Sequence, residues 1–271
     1  MNKVLFREFT ESAAIAWPQE LDLLTRHDLY FETRPASTQA EIERAHAVRY
    51  QVYVLERKFE SAEQHAGGLE IDEYDAQSIH GVLFHQPTGE ALGTVRMIQP
   101  GRDSREASLP IMHLLRENGL DLSDYLPVDR AVEVSRFAIS KRLRRRAGDE
   151  TGRAVAAPPL SREEREARGN LPCLSLIQFL LRQSVESGVM YWTAVMEEKL
   201  LRMLAGMGIH FTPVGPMVSH HGLRQPSYLY LPRMLEQVWE EHPDYWSVLT
   251  NAGELSERLK QNVQRAKLRV A

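Results

Sequence analysis

Three carboxylates, Glu70, Asp72 and Asp75, crowd the segment LEIDEYD just ahead of an apolar run. Burying such a group is costly unless cations pair with it, and Arg49, Arg96 and Arg136 are the available partners on neighbouring elements. A lattice of carboxylates and guanidiniums at a strand edge can fix a small zwitterion, with an arginine taking its carboxylate and an acid its ammonium. It can also move a proton. An amine must be deprotonated before it attacks a thioester, and a carboxylate raised in pKa by like-charged neighbours can accept that proton. On this reading Glu70 is the base, Asp72 and Asp75 hold the loop and the amine, and Arg96 keeps the acids paired. The blander alternative is a salt-bridge network that only pins a loop, as charge runs usually face solvent. The matching arginines favour the site.

Those side chains need a scaffold, and the hydrophobic patterning supplies one. The stretch to about Thr25 reads as helix and LYFETRPAS as a short strand. Thr38 and Glu41 are spaced as a capping box, and Ile42, Ala45, Val48, Val52 and Leu55 follow at helical spacing. IHGVLFHQPTGEALGTVRMIQ reads as two strands joined at Pro87, Thr88, Gly89 and Glu90. SLPIMHLLRENG is a short helix closed by Gly119, and AVEVSRFAIS is a strand with alternating sides. Residues 147–170 hold little that could fill a core and are expected to form a mobile surface insertion. Pro172 then fits the first turn of a helix whose face is Leu174, Ile177, Leu181 and Val185. VMYWTAVM is a strand, EEKLLRMLAGMG a helix, and IHFTPVG and SYLYL the last strands. An antiparallel hairpin inside an α/β alternation implies a mixed central sheet flanked by helices on both faces. The expected organisation is a helical extension over 1–30, an α/β domain over 31–231, and a helical extension over 232–271.

Composition narrows the classes of function. With 43% apolar and 26% charged residues among 271, the chain is ordinarily globular. A net charge of -4 argues against a protein that coats nucleic acid or an anionic membrane. Cys173 is the only cysteine, which excludes an internal disulfide and suits a reducing compartment. Charges break the apolar stretch of the N-terminus, and no run approaches the roughly 18 apolar residues of a membrane span. The expected location is the cytoplasm. His210, His220 and His221 lack the spacing of a metal site, so no metal is expected.

The charged positions also form a recognisable series. Arg49 is followed by Tyr53 and Phe59, then by the E-x-D-x-x-D cluster of Glu70, Asp72 and Asp75, by Arg96, and by Glu133, Arg136 and Phe137 in VEVSRFAIS. Over residues 45–140 this resembles the acyl-homoserine-lactone synthases, GNAT-like enzymes that make quorum-sensing signals. The tail AGMGIHFTPVGPMVSHHGLRQPSYLYL, with Gly222, Arg224 and Pro226, is similar to the closing segment of N-acyl amino acid synthases and of PEP-CTERM/exosortase-associated acyltransferases. The resemblance implies a GNAT fold and transfer of an acyl group from a thioester to a small amine. It implies catalytic roles for Glu70, Asp72, Asp75 and Arg96, and substrate binding by Arg49, Tyr53, Phe59, Glu133, Arg136 and Phe137. No tightly bound cofactor is implied; acyl-phosphopantetheine on acyl carrier protein, or acyl-CoA, is the donor.

SKRLRRR places Lys141, Arg142, Arg144, Arg145 and Arg146 directly after that strand. In an acidic chain the run suggests a local anionic partner, and acyl carrier protein is one. A solvated basic loop and a nucleic-acid footprint remain alternatives. Gly148 stands alone where a glycine-rich pyrophosphate loop would be, which favours the carrier over free coenzyme A. A second class of function stays open: a catalytically silent GNAT-like domain that binds an acyl chain or a partner. The retained polar series speaks for the enzyme.

Overall fold

The computed structural model describes residues 21–65, 67–101, 109–141, 162–219 and 222–268, with 162–168 as backbone only. Arg142, Arg144, Arg145, Arg146, Gly148, His220 and His221 lie outside the described residues, as do residues 1–20 of the expected N-terminal extension. So do residues 147–161 of the expected insertion.

The chain opens with α1 (Leu23–Tyr30), capped by the Asp22 side chain on the Thr25 amide, and turns straight into β1 (Phe31–Pro35). Thr38 and Glu41 form the capping box reciprocally and start α2 (Gln39–Tyr50). That helix does not continue regularly to Phe59. It passes into a π-helical turn, Gln51–Glu56, which carries Tyr53. Such turns are uncommon and concentrate at functional sites.

A hairpin follows, β2 (Ser78–His85) and β3 (Glu90–Ile98), then α3 (Pro110–Glu117) and β4 (Ala131–Ile139). The next helix, α4 (Arg162–Ser187), starts inside the segment expected as an insertion and places Pro172 within the helix, not in its first turn. Apolar periodicity marks the buried part of a helix, and the polar run 162–170 gave none. Beyond it lie β5 (Tyr191–Met196), α5 (Glu198–Ala205), β6 (Thr212–Pro213), β7 (Val218–Ser219) and β8 (Leu223–Tyr230). Three helices close the chain: α6 (Leu231–Glu241), α7 (Pro243–Thr250) and α8 (Glu254–Leu268).

The strands form one mixed sheet in the order β1-β2-β3-β4-β5-β8-β6, with β7 also paired to β8. Among the described strands only β4 and β5 run parallel, and α4 lies in the connection between them. α4 covers one face of the sheet. Phe179 lies so close that a Cβ on Gly81 would come within 2.6 Å of its ring, so only glycine allows the contact. The residues from Leu231 onward pack into this same core through Leu231, Met234, Val238, Val248 and Leu255. Cys173 is buried among them, and burial pushes its thiol up to about 12. On the opposite face Ala45 of α2 packs on Val82 and Phe84, while Ile111 and Leu115 of α3 cover Ile98 and Ala131. Among the described residues no helix is long and apolar enough to cross a membrane.

Candidate active site

Two features of β4 make the site. Its pairing with β5 is confined to Ala131 with Tyr191, Val132 with Trp192 and Glu133 with Thr193, although both strands run on. Beyond Glu133 they part. On its other edge Arg96 pairs with Ser135 and Thr94 with Ala138, so Arg136 and Phe137 together oppose Val95. This is a β-bulge, and it holds Arg136 at φ 50, a conformation that non-glycine residues adopt at a cost of about 1–3 kcal/mol.

The bulge turns the Arg136 guanidinium toward the LEIDEYD loop. Arg136 Nη2 donates to Glu70 Oε1 at 2.9 Å and to Asp72 Oδ2 at 2.8 Å. Arg49 donates from Nε to Glu70 and from Nη1 to Asp75 Oδ1 at 2.6 Å. Arg96 donates from Nη1 to Asp72 and to Asp75 Oδ1 at 2.7 Å, and from Nε to Ser135 Oγ at 2.9 Å. The three carboxylates and three arginines read from the sequence therefore form one lattice, in which Arg49, Arg96 and Glu70 are almost wholly buried. Glu133 stands apart. Its carboxylate accepts the Ile111 amide of α3 at 2.6 Å, where the helix offers no side-chain cap of its own.

The electrostatics reverse one expectation. Burial alone would raise Glu70, but the hydrogen bonds and charges of Arg49 and Arg136 outweigh it and hold the carboxyl at about 2. Its like-charged neighbours do not make it basic, because each brings a guanidinium with it. Asp75 is likewise lowered, with Arg49 and Arg96 overcoming its burial. Glu133 is raised to about 7, because burial exceeds the help from Ile111, Arg96 and Arg136.

Tyr53 and Phe59 flank the lattice as a tilted ring pair 6.3 Å apart. The Tyr53 hydroxyl donates to the Phe137 carbonyl at 3.5 Å, and its ring lies 5.7 Å from the Arg136 guanidinium. Lys141 is exposed and bonded to Glu56, away from this cluster.

The parted strands open onto a cleft of about 860 Å³. Tyr53, Glu70, Asp72, Arg96, Glu133 and Arg136 line one part, and Ile177, Leu180, Trp192, Ala194, Met196 and Leu204 another. Within the sequence stripe Leu174, Ile177, Phe179, Leu180 and Met190, only Ile177 and Leu180 reach the cleft. Sequence reasoning missed Trp192, Ala194 and Leu204 as lining. It also missed His46 and His80, buried beside Asp75 with His46 Nδ1, His46 Nε2 and His80 Nδ1 lacking hydrogen-bond partners. Burial lowers both imidazoles, His80 to about 4. Among the described residues, His46, Asp75 and His80 are the group whose ligand atoms, within 4.8 Å of one another, are close enough to share a metal ion. Arg49 and Arg96 already compete for that carboxylate. An isolated histidine two turns or a strand away carries no sequence signal for this.

A mixed sheet whose two parallel strands part beside a bulge is the frame on which similarity to known proteins bears. Residues 48–152 match the acetyltransferase (GNAT) domain family. The chain is similar in fold to FeeM, an N-acyl amino acid synthase from uncultured soil microbes, at 18% identity and TM-score 0.51 over 78% of this chain and 96% of that one. It is similar to BjaI, a CoA-dependent acyl-homoserine lactone synthase bound to SAM and isopentyl-CoA, at 17% identity and TM-score 0.52 over 80% and 89%. TofI, in a ternary complex with an inhibitor and MTA, matches at 17% identity and TM-score 0.53 over 79% and 99%. No curated protein matches the chain. The fold is that of the GNAT N-acyltransferases.

Proposed function

We propose that the protein moves a fatty acyl group from a phosphopantetheine thioester to the amine of a small amino acid or derivative. The observation that carries this reading is the cleft between β4 and β5, charged on the face of α2 and α3 and apolar on the face of α4 and α5. A thioester seated in the gap meets an amine from one side and extends its chain to the other. Six apolar residues deep in a cleft of this size offer burial to many methylenes, each contributing about 0.8 kcal/mol.

Glu133 supplies the base. With a carboxyl near 7 it is about half ionised at neutral pH, and its ionised form is basic enough to take a proton from an ammonium on its way to attack. The amine nitrogen adds to the thioester carbonyl, the carbon–sulfur bond breaks, the amide forms, and sulfur leaves as the thiol. Glu70 and Asp72, fixed by Arg49, Arg96 and Arg136, then serve to orient the ammonium at the cleft wall, and Asp75 braces Arg49 and Arg96 behind them. Tyr53 and Phe59 form the neighbouring aromatic wall.

The donor carrier is acyl carrier protein on the strength of the basic run 141–146, with acyl-CoA as the other thioester the cleft would admit. BjaI, with isopentyl-CoA bound, is a CoA-dependent neighbour in fold. The test is thiol release from long-chain acyl-CoA and acyl carrier protein, with each amino acid in turn and mass spectrometry of the product. Release that no amine accelerates would overturn the reading.

A further inference from the structure

A second cavity, of about 470 Å³, lies at the other end of the β4–β5 pair and shares no lining residue with the cleft. Its size falls within the range of about 300–1,000 Å³ typical of small-ligand sites. Tyr191 stands at the first rung of the pair, opposite Ala131, and the strands part only beyond Glu133 and Thr193. Several elements build the walls. Tyr191 and Tyr230 pair across β5 and β8 with their rings 4.9 Å apart. Val263, Ala266 and Lys267 share one face of α8 by their spacing, and the Asn262 side chain ties that helix to the Val185 carbonyl of α4 at 2.7 Å. The Met190 amide donates to the Arg130 carbonyl at 2.9 Å and the Leu231 amide to the Met190 carbonyl at 3.0 Å, so backbone hydrogen bonds fix the remaining side.

The lining is chemically one-sided. Met190, Val263, Ala266 and the two tyrosine rings offer apolar surface, and the charges are those of Arg130 and Lys267, with no acid among the lining residues. Among the described residues the ion pair of Arg130 is with Asp129, at 3.9 Å and with the Asp129 side chain 78% exposed, and such a contact contributes little. Burial raises the Tyr191 phenol and the Arg130 charge opposes it, so the guanidinium lies within reach of the polar edge of the ring pair. No side-chain amide or carboxylate is present to read a base or a sugar. The occupant that suits this lining has an apolar chain and one anionic end, to which a guanidinium offers two parallel N–H donors.

We propose that this cavity binds a fatty acid, with its chain against Met190 and Val263 and its carboxylate on Arg130 and Lys267. The site lies outside the cleft and does not depend on the acyl-transfer reading.

The test uses decanoic acid with a diazirine on its chain, photolysed on the full chain, and peptide mass spectrometry to locate the label. The expected result is saturable labelling of residues that line this cavity, suppressed by decanoate and hardly at all by decanol. Half-saturation should rise about tenfold or more when Arg130→Met and Lys267→Met are combined. The melting temperature and thiol release of that double variant should stay near wild type, since neither residue touches the cleft. Ala266→Trp, which fills the cavity from α8, should abolish labelling here while any label in the apolar half of the cleft persists. Label confined to the cleft, decanol competing as well as decanoate, or an unchanged half-saturation in the double variant would each overturn the proposal. Tighter competition by decyl phosphate than by decanoate would assign the site to a phosphate and overturn the fatty acid.

Discussion

Glu133 and Trp192 meet the last rungs of the β4–β5 pairing from opposite faces of the sheet. The Glu133 carboxylate points to the N-terminus of α3, where it accepts the Ile111 amide, and the Trp192 indole points to α4, where it donates to Ser184 Oγ at 2.8 Å. The apex of the cleft is therefore a boundary, basic on one side and apolar on the other. The proposed acyl transfer fits that division, with the proton leaving on the acceptor side and the chain buried on the donor side.

If Glu133 is the base, kcat/KM should rise with pH through about 7 and then level off, because only the ionised carboxylate accepts a proton. Glu133→Gln should lower turnover by about 10²- to 10⁴-fold and flatten the profile. Stability should move the other way. A carboxyl raised above its unfolded value of 4.5 contributes fully below that pH, and the contribution is lost as pH rises through about 7. Glutamine stays neutral, so at pH 8 the variant should gain up to about 3 kcal/mol in denaturant unfolding. A variant both unstable and unchanged in pH profile would remove Glu133 from the mechanism.

Glu70→Gln should behave in the opposite sense. The folded carboxyl is depressed to about 2, so its contribution is present above the unfolded value of 4.5 and is lost as pH falls through 4.5 toward 2. Removing its charge leaves Arg49, fully buried, without the charged partner at its Nε. About 3 kcal/mol of stability should go at neutral pH, and the acid limb of the unfolding curve should flatten. Turnover per folded molecule should keep its rise near pH 7. Loss of that rise in Glu70→Gln, with stability intact, would restore Glu70 as the base.

Much of the lattice was legible in the sequence because it is built from pairs whose chemistry demands one another: three carboxylates imply three cations, and Arg49, Arg96 and Arg136 are where they were expected. The hairpin around Gly89 and the capping box of Thr38 and Glu41 were legible for the same local reason. What was not legible depends on tertiary context. The basicity of Glu133 comes from burial beneath α3, and the weakness of Glu70 from two guanidiniums outweighing its neighbours; neither can be read from spacing. Ile177 faces the cleft and Leu174 the core from one helix, which periodicity alone does not separate. The π-helical turn at Tyr53 and the helical start of α4 before Pro172 follow no local signal in those residues.

The basic run beyond β4 allows a test of the donor. Replacing Arg144, Arg145 and Arg146 by Glu should lower kcat/KM for acyl carrier protein by about tenfold or more at low salt, with the difference shrinking as ionic strength rises. Acyl-CoA turnover should change far less, since steering acts on a large anionic partner. Equal loss with both donors would point away from carrier docking.

Ala194 offers a direct test of the apolar half of the cleft. It lies on β5 beyond the last β4 pair, it is 1% exposed, and it lines the cavity between Trp192 and Met196. Ala194→Leu adds a branched group of about three carbons where an acyl chain would run, and with the cavity's own space to take it up the stability cost should fall toward the low end of about 1–3 kcal/mol. Long donors should then lose about 10- to 200-fold in kcat/KM, while donors shorter by roughly two to four carbons keep most of theirs. The readout is thiol release across a chain-length series of acyl-CoA with one acceptor, beside the melting temperature of the variant. An unchanged chain-length profile in a stable Ala194→Leu protein would move the acyl chain out of this part of the cleft.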